Sequence, residues 1–138
     1  MNQYHILANC PEEQACQLAT DVLQSYRTSQ VKLLSGPRQG LVMLKVRETV
    51  ADSQFYAGEV LVTEVKLELD GQFGFGMVIG DSPRHAMAVA LVDAALRKGG
   101  LLAADLSDKL GQLRAELERS RQQLYQRVSS SKVNFELM

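Results

Sequence analysis

The pattern of apolar and polar residues in the middle of the chain predicts a β-hairpin. Charged and apolar side chains alternate over residues 64–69 (EVKLEL), which is the period of a half-buried strand. Asp70-Gly71 follows and favours a two-residue type I′ turn, because both central residues of that turn need a positive φ. The apolar stretch 72–79 then returns as the partner strand, so we predict paired strands over 58–69 and 72–79.

The register of this hairpin determines which side chains share a face. A two-residue turn puts Leu67 opposite Gly74 and Val65 opposite Gly76. That face is smooth and favours a closely packed helix. A three-residue turn is the alternative, and it would move the phenylalanines that follow the turn onto the same face as Leu67.

The opposite face of the hairpin is also apolar, and this predicts a partner chain. It carries six apolar side chains: Val60, Val62, Phe73, Phe75, Met77 and Ile79. A sheet that is apolar on both faces must be covered on both, and this small chain offers few helices for that purpose. We therefore predict that this face, or the tail 132–138, is buried against another chain, with the interface residues Phe73, Phe75, Met77, Val133 and Phe135.

A helix is predicted directly after the hairpin. Pro83 suits a first helical turn, where its missing N–H costs nothing, and apolar residues then recur at helical spacing as far as Leu96. Gly99-Gly100 marks the end of this helix. The helices predicted in the chain span residues 11–26, 83–97 and 105–127. Asn9 is the predicted N-cap of the first one.

Two more strands are predicted before the hairpin. Residues 31–34 form a short strand, 36–40 (GPRQG) a turn, and 41–47 a second strand. The second strand begins with an unbroken apolar run, LVML, which is typical of burial on both faces. From Ser129 the composition changes to serines and then alternating apolar residues, which predicts an extended C-terminal tail. Together these elements predict a single α+β domain over residues 1–138, with an antiparallel sheet packed by about three helices.

Composition and charge exclude several classes of function. The 138 residues carry 15 basic and 16 acidic side chains, a net charge of −1, so there is no electrostatic footprint for nucleic acid. No apolar run approaches the roughly 18 residues of a membrane span. The N-terminal sequence MNQYHILANC lacks the pattern of a secretory signal. We therefore expect a cytoplasmic protein without a nucleic-acid or membrane partner.

The chemistry-bearing residues form no recognisable catalytic or metal-binding motif. Cys10 and Cys16 are the only cysteines, and neither their spacing nor that of the two histidines suits a metal. We therefore expect two reduced thiols and no metal in this chain. The glycines at 74, 76 and 80 fall within a strand rather than between a strand and a helix, which argues against a phosphate loop.

One short segment, Ser82-Pro83-Arg84-His85, has the composition of an anion site. A helix N-terminus, a guanidinium and an imidazole together attract phosphate-like groups. The predicted ligands are Ser82, Arg84 and His85. The structural alternative is that Arg84 is solvated and that His85 is an ordinary surface or interface residue.

Several short motifs together resemble a known family. They occur in this order: Gly40-Leu41-Val42, Phe55-x-Ala57-Gly58-Glu59-x-x-x-Thr63, Asp70-Gly71, Gly74-Phe75-Gly76-x-Val78-x-Gly80, Arg84-His85-Ala86, Leu91-Val92-Asp93-Ala94 and Lys132-Val133-x-Phe135-x-x-Met138. In type, order and spacing they resemble the G subunit of the bacterial carbon–phosphorus lyase core complex, which degrades phosphonates. The likeness covers most of the chain.

The resemblance implies a function that the residues alone do not reveal. The G subunit of that family works with the H, I and J subunits, and the I subunit is its close companion. Together with an ATPase-like subunit, the G, H and I subunits support transfer of a phosphonate onto the ribose of MgATP with release of adenine, and the J subunit later breaks the carbon–phosphorus bond. The resemblance gives the G subunit no catalytic residue and no cofactor. MgATP, an iron–sulfur cluster and S-adenosylmethionine belong to the implied complex.

Two other classes of function stay open at this point. One is a free-standing homodimeric domain that binds a small molecule or an anion, and the other is a lone transferase that uses Arg84 and His85. A homo-oligomer of the isolated chain is compatible with each of these functions. No autonomous active site is visible in the sequence, which favours an accessory subunit of a transferase or lyase complex.

Overall fold

A computed structural model describes the backbone of residues 3–48 and 50–136, with the side chains of Val46 and residues 129–136 outside the described part. The helices and strands follow in this order: α1 (Gln3–Asn9), α2 (Glu12–Ser25), β1 (Val31–Arg47), β2 (Gln54–Leu69), β3 (Gln72–Ile79), α3 (Pro83–Lys98) and α4 (Leu101–Glu136). The predicted α+β class, with an antiparallel sheet packed by helices, is confirmed.

The sheet has the strand order β1-β2-β3, and both neighbouring pairs are antiparallel. β2 and β3 are joined by the predicted two-residue turn, because Leu69 pairs with Gln72. The central residues of this turn, Asp70 and Gly71, have φ values of 49° and 84°, as a type I′ turn requires. The predicted hairpin register is therefore confirmed along its length, and the three-residue alternative is wrong.

Helix α3 packs directly against the backbone of β3. A β-carbon at Gly76 would lie 2.1 Å from the Ala86 carbonyl oxygen, and one at Gly74 would lie 2.4 Å from the Ala90 carbonyl oxygen. Glycine in the strand leaves the room that this approach needs. The facing positions of α3 are alanines, whose small side chains also permit the close approach. The prediction that these glycines allow a helix to pack closely is therefore confirmed.

The core lies between this face of the sheet and the helices. Val65, Leu67 and Leu69 of β2 are fully buried there. Most side chains of α3 are buried as well, since α2 and α4 pack against it from outside. Leu106 and Leu110 of α4 complete the core, so α3 is the central helix of the fold.

The segment before the hairpin is one long strand, where we predicted two strands joined by a turn at 36–40. β1 is unbroken. At Gly36-Pro37 its pairing with β2 shifts in register, and the strand continues on the other side of the shift. Gly36 has a φ of 90°, and a β-carbon there would lie 2.5 Å from the Glu64 carbonyl oxygen. Glycine and proline thus mark a β-bulge within a strand rather than a turn between two strands.

The structure also contains a helix that the sequence analysis missed. α1 ends at Asn9, the residue predicted to cap α2, and the Asn9 amide donates to the His5 carbonyl oxygen at 2.8 Å. α2 begins after Pro11, which occupies its N-cap position. With seven residues, α1 is too short to be stable by itself or to reveal a helical period. Burial of Ile6 and Leu7 in the core holds it in place.

Helix α4 is longer at both ends than the predicted 105–127. It begins at Leu101, directly after the glycine pair that ends α3, and it continues to Glu136. Helix therefore replaces the extended tail predicted from Ser129. The physical reason is that serine lowers helix propensity only slightly, and no glycine or proline interrupts this part of the sequence.

Gly76→Ala should destabilise the fold by about 2–3 kcal/mol, because the new methyl group meets helix backbone and forces α3 outward. Gly111→Ala is the matched control. Nothing lies within 4 Å of a β-carbon at Gly111, so this variant should gain about 1 kcal/mol from helix propensity. Urea unfolding followed by circular dichroism measures both. Equal stability of the two variants would contradict the close approach of α3.

Asp70→Asn should remove a pH-dependent part of the stability and keep the turn, since asparagine also accepts a positive φ. The Lys98 ammonium is hydrogen-bonded to the Asp70 carboxylate and holds the pKa of that group below its usual value. The ion pair therefore stabilises the fold above the unfolded-state pKa of about 4. This contribution is lost as the pH falls through the lower folded-state pKa.

The wild-type protein should therefore be more stable than Asp70→Asn at neutral pH, and the difference should disappear once the pH lies below the folded-state pKa of Asp70. Urea midpoints at neutral pH and over a series of acidic pH values measure this difference. Glu118→Gln, which breaks the exposed pair with Arg114 on α4, controls for the loss of one surface carboxylate. A difference between wild type and Asp70→Asn that is constant with pH would refute the role of the charge.

Candidate functional site

Each residue of the predicted anion site has its own partner in the structure. The Ser82 N–H donates to the Thr63 hydroxyl at 3.1 Å, which holds the turn that leads into α3. The Arg84 guanidinium is exposed and donates to the Cys16 sulfur at 3.8 Å. These two groups and His85 contact three different parts of the chain. Anion binding by the three together stays a prediction.

His85 is a buried part of the packing between α1 and α3. Its Nε2 lies 2.8 Å from the Leu7 carbonyl oxygen, and only 8% of the residue is exposed. A carbonyl oxygen can only accept a hydrogen bond, so Nε2 carries the proton. The ring therefore ties the first turn of α3 to α1.

The two cysteines are free thiols, as predicted. Cys10 is buried, and its Sγ donates to the Leu7 carbonyl oxygen at 3.4 Å. Burial raises the pKa of the Cys10 thiol, which makes it a poor nucleophile. Within the part of the chain that the structure describes, no three histidine, cysteine or carboxylate side chains are grouped to hold a metal ion.

Two surface clefts flank α2. The larger, about 570 Å³, lies between α2 and α4, and Lys109 bridges Asp21 and Asp105 there. These carboxylates raise the pKa of Lys109, so the amine stays protonated and cannot act as a base. The smaller cleft, about 350 Å³, lies between α2 and α3 and is mostly apolar apart from Arg84.

A large apolar surface is exposed where β1 and β2 extend beyond β3. β3 pairs with β2 only over residues 62–69. Residues 41–47 of β1 and 54–61 of β2, hereafter the ribbon, therefore project about 26 Å as two strands alone. The exposed large apolar residues of the ribbon are Leu41, Val42, Met43, Leu44, Phe55, Tyr56 and Leu61.

The ribbon is apolar on both faces. Leu41 pairs with Leu61 on the core side of the sheet, and Val42 pairs with Val60 on the opposite side. Leu41 is 63% exposed and Val42 is 43% exposed. The LVML run predicted a strand buried on both faces, yet within this chain it is exposed on both. Since two strands alone gain little stability in water, the expected burial points to another chain.

The predicted interface on the second face of the sheet is partly covered by α1. Phe75 lies opposite Lys66, on the side away from Leu67, as predicted. Its ring stacks with that of Tyr4 at a centroid distance of 6.5 Å. Phe73 and Ile79 are exposed, so part of this face stays uncovered within the chain.

The other predicted interface residues are covered in part or lie outside the description. Met77 is half-buried, and its N–H donates to the Tyr4 hydroxyl at 2.9 Å. The side chains of Val133 and Phe135 lie outside the described residues. Contact of these residues with a partner stays a prediction. We did not predict a site at the ribbon, although its unbroken apolar run was the available signal.

Comparison with protein-family models finds a match over residues 2–138 to the family described as phosphonate metabolism protein PhnG. The chain belongs to this family. The match spans nearly the whole sequence, so the resemblance to the G subunit of carbon–phosphorus lyase is confirmed. A search of the curated proteins found no match.

Membership in the PhnG family assigns the chain to phosphonate metabolism, as a subunit of carbon–phosphorus lyase. A subunit works together with partner chains, and the ribbon offers an apolar surface that a partner can bury. None of the helices in the described part of the chain is long and apolar enough to cross a bilayer.

His85→Ala should lower the free energy of unfolding by about 1–2 kcal/mol, because it leaves the buried Leu7 carbonyl oxygen with only the weak Cys10 thiol as a donor. Arg84→Ala, at the neighbouring exposed position, is the control and should change stability by no more than about 0.5 kcal/mol. Urea titration measures both. Equal effects of the two substitutions would contradict the packing role of His85.

Proposed function

We propose that this chain is an accessory, non-catalytic subunit of the complex that degrades phosphonates. In this role it supports transfer of a phosphonate onto the ribose of MgATP, with release of adenine and formation of a ribose 1-phosphonate 5-triphosphate. Companion subunits supply the reacting groups, and this chain contributes contact surface and shape. The assembly is expected to work in the cytoplasm.

The observation that carries this proposal is the family match over residues 2–138. The chemistry of the described side chains supports it. His85 is engaged in packing, burial raises the pKa of the Cys10 thiol, and Lys109 is held by two carboxylates. A projecting apolar ribbon, with no acid–base pair assembled among the described side chains, suits a structural subunit better than an autonomous enzyme.

The expected companions are the H, I and J subunits, with the I subunit in closest contact. MgATP is the substrate of the transfer step. The iron–sulfur cluster and S-adenosylmethionine belong to the J subunit, which breaks the carbon–phosphorus bond afterwards. The proposal therefore places this chain in a transferase and lyase assembly without assigning it a cofactor or a reacting residue.

Reconstitution tests this function. The companion subunits are incubated with MgATP and methylphosphonate, with and without this chain, and adenine release is followed by chromatography. We expect this chain alone to release no adenine, and its addition to raise the rate of the companions by about tenfold or more. This expectation follows from a supporting role that has no reacting group of its own.

Two results would contradict the proposal in different ways. Adenine release by this chain alone, lost in Arg84→Ala, would favour the lone transferase. A stable homodimer that neither binds the companions nor changes their rate would favour a free-standing small-molecule or anion-binding domain. An unrelated small protein added at the same concentration controls for nonspecific stabilisation of the companions.

A further inference from the structure

The two edge strands of the sheet differ in whether side chains form hydrogen bonds with their outward-facing backbone groups. At the β3 edge, the N–H of Phe75 donates to the Asp93 carboxylate at 3.0 Å, and that of Met77 donates to the Tyr4 hydroxyl at 2.9 Å. β1 forms the other edge and pairs with β2 alone. Among the side chains that the structure describes, which exclude Val46 and residues 129–136, none caps the β1 backbone in this way. One edge is therefore closed and the other is open.

The capped edge also reveals which backbone groups of β1 face outward. Because the N–H of Met77 points away from β2, its partner Glu64 directs its own N–H toward β1. The same alternation continues along the register between β2 and β1. It places the N–H and C=O groups of Gln39, Leu41 and Met43 on the outer edge of the sheet.

Residues 39–44 of the open β1 edge, hereafter the window, lack the features that usually prevent another strand from pairing there. Shifts in strand pairing bracket this window, between Ser35 and Arg38 on one side and between Leu44 and Lys45 on the other. Inside it, the sequence QGLVML contains no charge and no proline. Proteins guard free edges with bulges, charges and prolines, and here those features stop at the limits of the window.

We propose that residues 39–44 of β1 accept an extended segment of a companion subunit, which joins the sheet as a fourth strand. Main-chain hydrogen bonds to Gln39, Leu41 and Met43 hold the added strand. The apolar side chains on both faces of the ribbon pack against its alternate side chains. This inference rests on the proposed function only for the identity of the partner as a companion subunit.

The charges around the window select an acidic segment rather than a second copy of this chain. β1 has no carboxylate, and its cations are Lys32, Arg38, Lys45 and Arg47. A second copy paired antiparallel about Val42 would bring Arg38 close to the Lys45 and Arg47 of the other copy, and like charges on facing strands repel. A segment with carboxylates on both sides of a short apolar stretch meets a cation at each end.

Lys45 is the cation of this group best placed to attract such a segment. Arg38 and Arg47 already pair with Glu64 and Asp52. The Lys45 ammonium lies 5.3 Å from the centre of the Tyr56 ring, an arrangement that leaves its charge available to a carboxylate. Substitution of Lys45 by an acid should therefore repel the partner without breaking an ion pair inside the chain.

The test compares two proline variants in the complex with the companion subunits. Met43→Pro removes an outward N–H inside the window and leaves the pairing with β2 intact. Leu33→Pro removes an outward N–H outside the window. Leu33 pairs with Leu67 and Met43 pairs with Glu59, and both partners are odd-numbered residues of β2, whose N–H groups point away from β1. The two residues are matched in exposure, at 53% and 48%. Circular dichroism checks that each variant folds.

We expect Met43→Pro to weaken binding to the companion subunits by about tenfold or more, and Leu33→Pro to leave it within about twofold. Lys45→Glu should also weaken binding. In the wild-type complex, amide hydrogen exchange at Leu41 and Met43 should slow, and this measurement does not depend on any variant. Unchanged exchange there, or equal binding by both proline variants, would overturn the strand addition.

Failure of the proposed function gives a different result. If the wild-type chain binds no companion subunit, the proposed function fails and this inference fails with it. If wild type and Met43→Pro bind equally well, only the inference fails. The alternative is that a second copy of this chain pairs with the window, and sedimentation of the isolated chain tests this. A homodimer that Met43→Pro dissociates would identify a second copy as the added strand and overturn the proposed acidic partner.

Discussion

The contact between α3 and the backbone of β3 is the constraint on which the rest of the fold depends. Gly74 and Gly76 leave no side chain between strand and helix, and Ala86 and Ala90 lie directly against them. Because α3 sits so close to the sheet, α2 and α4 can pack on its outer sides. A chain of 138 residues thereby obtains a dense core from one face of a three-stranded sheet.

Three polar side chains stabilise the packing around α3. Asp93 closes the β3 edge, His85 ties α3 to α1, and Thr63 donates to the Gly80 carbonyl oxygen at the entry to α3. The sheet extends beyond its own core as the ribbon. An apolar ribbon exposed on both faces is costly in water, and a subunit of an assembly recovers that cost when a partner covers it.

Much of the fold could be predicted from local sequence. Asp70-Gly71 specified the turn, the turn set the register, and the register placed two glycines where a helix could approach. These features depend on residues that are close in sequence, so composition and period report them well. The short motifs likewise identified the family, which the match over residues 2–138 confirms.

Tertiary structure decided what those local signals could not. The local sequence Gly36-Pro37 predicts a turn, but pairing with β2 makes it a β-bulge within a strand. α1 is stable only because Ile6 and Leu7 are buried. His85 has the composition of a ligand but faces the Leu7 carbonyl oxygen. The sequence by itself determined that the LVML run requires burial; whether the chain buries that run depends on how far β3 extends. β3 ends opposite Val62, so the run stays exposed within this chain.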